Sequence, residues 1–158
     1  MKRRLVLGWS VVLMVGGALP APVSALQIAG GQDAPAPQSE AAVTARGRAL
    51  TQLFYAVKVE TVWAAFTPEL QATWGSLADL RTYREMGVRE YGAESQVLSE
   101  RVIEQGGVRY YVRDAVFAKH PGEVWSVVFG FDAAGRVQTF TIAPAGAAPQ
   151  EDGDPLRT

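Results

Sequence analysis

The chain has 158 residues, 15 Lys and Arg against 16 Asp and Glu, a net charge of −1, one histidine and no cysteine. So even a balance concentrates no basic patch for nucleic acid or anionic lipid. One imidazole without a thiolate leaves the usual zinc and copper ligands unavailable, so no metal, cofactor or disulfide is expected. In chain order, Lys2, Arg3 and Arg4 precede a charge-free apolar run over 5–19, which Pro20 and Pro22 end before the small residues Val23, Ser24 and Ala25. At about 15 residues this run falls short of the roughly 20 that span a bilayer, and it has the three-part order of a cleavable secretory signal. The expectation is a signal peptide over 1–25, no stable membrane anchor, and a periplasmic or extracellular destination. The paired arginines leave the general secretory and twin-arginine routes both open.

Residues 26–41 carry Gly30-Gly31, Pro35 and Pro37 with little apolar weight, and read as a disordered linker. From 42 to about 57 the apolar positions Val43, Leu50, Leu53, Phe54 and Val57 share a helical face, opposite Arg46, Arg48, Gln52 and Lys58. After a break near 58–61, Val59, Val62, Trp63 and Phe66 repeat that spacing. Thr67-Pro68-Glu69 then opens a short helix ended by Gly75, with Thr67 as cap and Pro68 at the first helical position. Ser76 with Asp79 opens another, in which Leu77, Leu80 and Tyr83 face inward and Gly87 marks the exit.

Beyond Gly92 the period shortens to two. Strands are expected over 95–104, 108–119, 124–131 and 136–142, joined by turns at Gly106-Gly107, Pro121-Gly122 and Asp132 to Gly135. Residues 145–158, with Pro149, Pro155 and an acidic cluster, read as a disordered tail. Helices first and hairpin strands afterwards predict an α+β domain over 42–144, N-terminal helices lying on one face of a four-stranded antiparallel sheet. In the second strand Val108, Tyr110, Val112, Asp114 and Val116 are assigned to the face under the helices. In the third, Trp125, Val127, Phe129 and Phe131 take that place. Val124, Val128, Val137 and the side bearing Tyr111 and Phe117 are then left pointing outward, an incompletely covered apolar face that suggests a weak homodimer.

The runs Leu50 to Phe54, Val62 to Leu70 and Val127 to Val137 resemble the NTF2-like (cystatin-like) superfamily, more narrowly a small uncharacterised domain found in bacterial exported proteins, sometimes alongside hydrolases. The resemblance spans residues 43–144 and rests on packing and turn signatures. It implies a curved sheet wrapped over helices as a cone, with a pocket at the open end. Such folds serve both as cofactor-free isomerases or dehydratases and as non-catalytic binding or dimerisation modules, and fold alone does not choose between them.

Among candidate site residues, Asp114 interrupts an otherwise apolar strand face. A carboxylate held in an apolar pocket has a raised pKa and can abstract a proton, here with Tyr110 as hydrogen-bond donor. The alternative is an Asp114 that pairs with Arg101, Arg109 or Arg113 on the sheet. Trp63, Trp74 and Trp125 with Tyr110 would line a pocket for a small apolar ligand or a cell-envelope component, or else belong to the core. His120 sits at a hairpin tip. No catalytic set is assembled by motif, so the primary expectation is a non-catalytic exported binding module, with an Asp114-based enzyme as its rival.

Overall fold

A computed structural model describes residues 39–150. The expected signal peptide, most of the linker and the acidic end of the tail lie outside them. Among the described residues four helices precede four strands: α1 (Glu40–Tyr55), α2 (Val59–Ala65), α3 (Pro68–Trp74), α4 (Leu77–Tyr91), β1 (Glu94–Gln105), β2 (Val108–Phe117), β3 (His120–Phe131) and β4 (Val137–Pro144). The strands form one antiparallel meander in the order β1-β2-β3-β4, so the α+β expectation holds. None of the described helices is long and apolar enough to cross a membrane.

Local chemistry sets the helix starts. The Ser39, Thr67 and Ser76 side chains each accept a hydrogen bond from the backbone N–H three residues on, relieving one of the unpaired donors of the first turn. Ser76 also donates to Asp79 at 2.6 Å. The expected exit of α4 at Gly87 is corrected. The helix runs on to Tyr91 and ends at Gly92, whose φ of +78° suits a residue without Cβ. Gly87 lacks such a turn and costs the helix only roughly 1 kcal/mol relative to alanine, which packing readily outweighs.

The core lies between the helices and one face of the sheet. Val43, Leu50 and Phe54 of α1, Val59 and Val62 of α2, Phe66, Leu70 and Leu80 meet Tyr111, Val127, Phe129, Phe131, Val137 and Phe140. Direct cross-strand partners share a face, so the register Val102–Tyr111–Phe129–Phe140 defines the helix side. The assignment of β3 agrees with this. That of β2 is reversed: Tyr111, Arg113, Ala115 and Phe117 lie under the helices, while Tyr110, Val112 and Asp114 face away. A one-residue slip exchanges the two sides of a strand. β2 invites the error because both sides carry apolar residues, and its two inward polar groups are satisfied within the layer.

The outward expectation for Val137 is corrected as well, while that for Val128 holds in direction. Val137 is fully buried beside Phe66, with which it forms a parallel bridge. Val128 does face away from the helices, but it is fully buried with Ile103, Val112 and Ala148. Residues Ala145–Ala147, read as part of the tail, form a 3₁₀ turn that brings Ala148 onto this surface. Ala148 of the C-terminal segment thus packs onto part of the face on which a sheet-to-sheet dimer was expected, while Val124 stays exposed.

The distance between α1 and the sheet is set at Gly47. A Cβ built on Gly47 would stand 2.2 Å from Cγ of Tyr111, so helix backbone lies directly on the aromatic ring. Tyr111 is fully buried and its hydroxyl donates to Glu100. Glu100 also accepts from Arg48 Nε at 2.8 Å and Arg113 Nη1 at 2.7 Å. The other edge of the Arg113 guanidinium grips Glu94 through Nη2 at 2.5 Å and Nε at 3.0 Å, and Tyr55 donates to Glu94 at 2.9 Å. Two carboxylates, two arginines and two tyrosines therefore fasten α1 to β1 and β2.

Two outcomes follow from this layer. Gly47→Ala gains roughly 1 kcal/mol of helix propensity but forces methyl into ring, for which overpacking costs of about 1–3 kcal/mol are usual. A net loss of thermal stability is expected in a melting experiment. The Arg48 hydrogen bond, against an opposing effect of burial and with help from Tyr111 and Arg113, lowers the Glu100 carboxyl from 4.5 to about 2. A depressed folded-state pKa gives stability that is present above pH 4.5 and lost as pH falls toward 2. Denaturant melts should show that loss, and Glu100→Gln should flatten the slope in this window while lowering stability at neutral pH.

Candidate functional site

An apolar cleft of about 250 Å³ opens between α4, the C-terminal end of α1 and the helix-facing side of the sheet. Phe54 and Tyr55 come from α1, and Tyr83, Arg84, Met86, Gly87, Glu90 and Tyr91 from α4. Phe117, Trp125 and Ile142 come from β2, β3 and β4. The continuation of α4 past Gly87 builds one wall, since Tyr83, Gly87 and Tyr91 recur at four-residue spacing on one helical stripe. Tyr91 packs edge-on to Trp125 at 4.8 Å between ring centroids and to Phe117 at 6.3 Å. At the other end Tyr83 meets Trp74 at 5.1 Å.

Arg84 is the buried polar group of this wall, only 8% exposed. Its Nε donates to the Phe54 carbonyl at 3.0 Å and its Nη2 to the Tyr55 carbonyl at 3.1 Å, capping the end of α1. The guanidinium lies over the Tyr55 and Phe54 rings, 5.0 and 5.3 Å from their centroids. Among the described residues no carboxylate pairs with it, and burial pushes its pKa down. Burial likewise raises the hydroxyl pKa of Tyr83, and that of Tyr55, which the neighbouring Glu94 raises further. The two tyrosines are thus held protonated, with the Tyr55 hydroxyl already donated to Glu94, and they share an aromatic setting with the Arg84 guanidinium.

The sequence candidates are dispersed. Trp125 lines the cleft. Trp74 borders it through Tyr83 and packs against Phe140 at 5.7 Å, and Trp63 packs on Phe66 at 6.0 Å, both as supports of the core. Tyr110 and Asp114 lie on the opposite face of the sheet. Tyr110 packs with the Ile103, Val112, Val128 and Ala148 group.

Asp114 accepts from Ser126 at 2.5 Å, Ser99 at 2.8 Å and Arg101 Nη1 at 2.5 Å. Burial alone would raise its pKa, but the hydrogen bonds from Ser126, Ser99 and Arg101 outweigh it and hold the carboxyl below its ordinary value. The raised-pKa base in an apolar pocket is thus corrected to an arginine-paired carboxylate outside the cleft. The pairing alternative, with Arg101, is the one formed.

Sequence reading missed Arg84, Gly87 and Tyr91. Their signal was the 3.6-residue period of α4, which carries on through Gly87 and was cut short by treating that glycine as a stop. His120 stacks beside Tyr91, ring centroids 4.9 Å apart, at the margin of the same aromatic group. Compared with protein-family models, with characterised proteins and with solved structures, the chain gave no match.

Proposed function

We propose that the protein is an exported, non-catalytic binding module of NTF2-like shape that takes a small, mainly apolar ligand in the cleft between α4 and the sheet. The observation that carries this reading is the cleft itself, an aromatic cavity with convergent polar groups on otherwise close-packed elements. Helices gathered on one face of a four-stranded antiparallel meander support the NTF2-like reading. At about 250 Å³ the cavity is at the small end of ligand sites, the size for a molecule of one or two rings. The hydrogen bonds that occupy Asp114 speak against proton abstraction by that residue.

Two measurements test the proposal. Amide and indole NMR signals of the purified protein, titrated with neutral naphthylmethanol or octanol, should shift at Gly87, Tyr91 and the Trp125 indole while the Trp63 indole stays put. Uniform or absent shifts would remove the cleft as a binding site. Expression with the leader should yield a secreted chain whose first residue is Leu26, and retention of an uncut chain in the cytoplasm would remove the export reading.

A further inference from the structure

A buried arginine without an acidic partner is costly, because a charge withdrawn from water is stabilised only when it is paired or fully hydrogen-bonded. Arg84 uses Nε and Nη2 on the carbonyls of Phe54 and Tyr55. Its Nη1 makes no hydrogen bond among the described residues and is open to solvent, since no buried side-chain nitrogen or oxygen among them lacks a partner, and Arg84, 8% exposed, lines the cleft. Gly87, also a cleft residue, sets no side chain beside that Nη1: a Cβ there would lie 3.9 Å away, at ordinary contact distance. It stands in the middle of a helix, where alanine would be favoured by roughly 1 kcal/mol.

Apart from tyrosine hydroxyls the rest of the cavity is apolar, and its own carboxylate, Glu90, is exposed. Glu90 stands six residues further along α4, an axial rise of roughly 9 Å. Positive charge is therefore deep at the Arg84 end, and negative charge is confined to the opposite end.

Resting on the cleft as the ligand site, we propose that its ligand is an apolar monocarboxylic acid, whose carboxylate meets Arg84 beside Gly87 and whose apolar body lies toward Tyr91 and Trp125. A guanidinium whose other edge is already fixed on two carbonyls is pre-oriented, so little freedom is lost when it binds a carboxylate. A second negative charge on the ligand would approach Glu90, which selects a monoanion over a dianion. A lipid-like acid and an aromatic acid share this head group.

The test compares matched pairs by calorimetry on the purified protein at neutral pH: naphthoate against naphthylmethanol, and octanoate against octanol. A charge-assisted hydrogen bond in a cleft corresponds to about a tenfold preference or more for the acid. Such a preference in either pair supports the proposal, and the pair that shows it identifies the aromatic or the aliphatic source. Arg84→Met should abolish the preference, read as the ratio of acid to alcohol affinity within each pair. If Arg84→Met fails to fold, Gly87→Leu, which keeps Arg84 and its carbonyl partners, should weaken the acid. Alcohols that bind as tightly as their acids overturn the proposal and leave the cleft reading standing, whereas failure of all four probes overturns both.

Discussion

The contact of α1 backbone with the Tyr111 ring at Gly47 is the constraint on which the rest of the layer depends. No other residue lets a helix approach an aromatic ring at that distance, and the approach lets the Tyr111 hydroxyl reach Glu100 from the middle of the sheet. Glu100 is then in place for Arg48 from the helix and Arg113 from the neighbouring strand. An apolar contact and an ionic one thus fix the same spacing. Surface ion pairs contribute little by themselves, and the Arg48 side chain is exposed, but both pairs share one carboxylate whose side chain is 15% exposed, and the Arg113 side is shielded as well. With α1 held, Phe54 and Tyr55 at its C-terminal end are brought over the sheet, where they form part of the cleft.

The two sides of the sheet solve burial differently. The helix side excludes water with large rings: Phe129 stacks on Phe140 at 4.7 Å, and Phe140 in turn meets Phe54 and Phe66. Among the described residues, the far side is covered by a short 3₁₀ turn and Ala148. Its buried patch is correspondingly small, and beside it Asp114, Ser126, Ser99 and Arg101 form a closed polar group in which the carboxylate accepts from all three partners. An aspartate on a strand of valines is tolerated there because its hydrogen bonds are complete.

The cleft exists because α4 is long and its inner stripe alternates large rings with a glycine. Had α4 ended at Gly87, Tyr91 would not reach Trp125 and the aromatic wall would be missing. Arg84 has two duties on that helix. It closes the carbonyls at the end of α1 and it brings a positive charge into an apolar space. The first explains why an arginine is held there at all. The second gives the cavity a polarity that its aromatic lining alone would lack.

Caps, turns and periodicities are local, and the sequence carries them directly: Thr67 and Ser76 start helices, paired glycines and Asp132 turn strands, and the change of period near Gly92 separates helices from sheet, although the Ser39 cap went unread within the expected linker. The face of β3 was legible because its largest side chains, Trp125, Phe129 and Phe131, alternate onto one side, although Val124 and Val128 make the other partly apolar. The face of β2 was not, because Tyr111 and Arg113 look like surface residues until Glu100 and Glu94 are beside them, and Asp114 looks like a candidate base until Arg101 is. Those partners lie on another strand, and nothing in β2 itself announces them. Gly87 read as a helix exit and Gly47 drew no reading; only packing tells that one lines the cleft beside Arg84 and the other admits a tyrosine ring. The sequence by itself determined the elements and their order, because these follow from backbone geometry within a few residues. Only the tertiary structure decided which side of β2 is inside, which polar groups are satisfied and where the cleft opens, because each of those depends on side chains distant in the chain meeting in space.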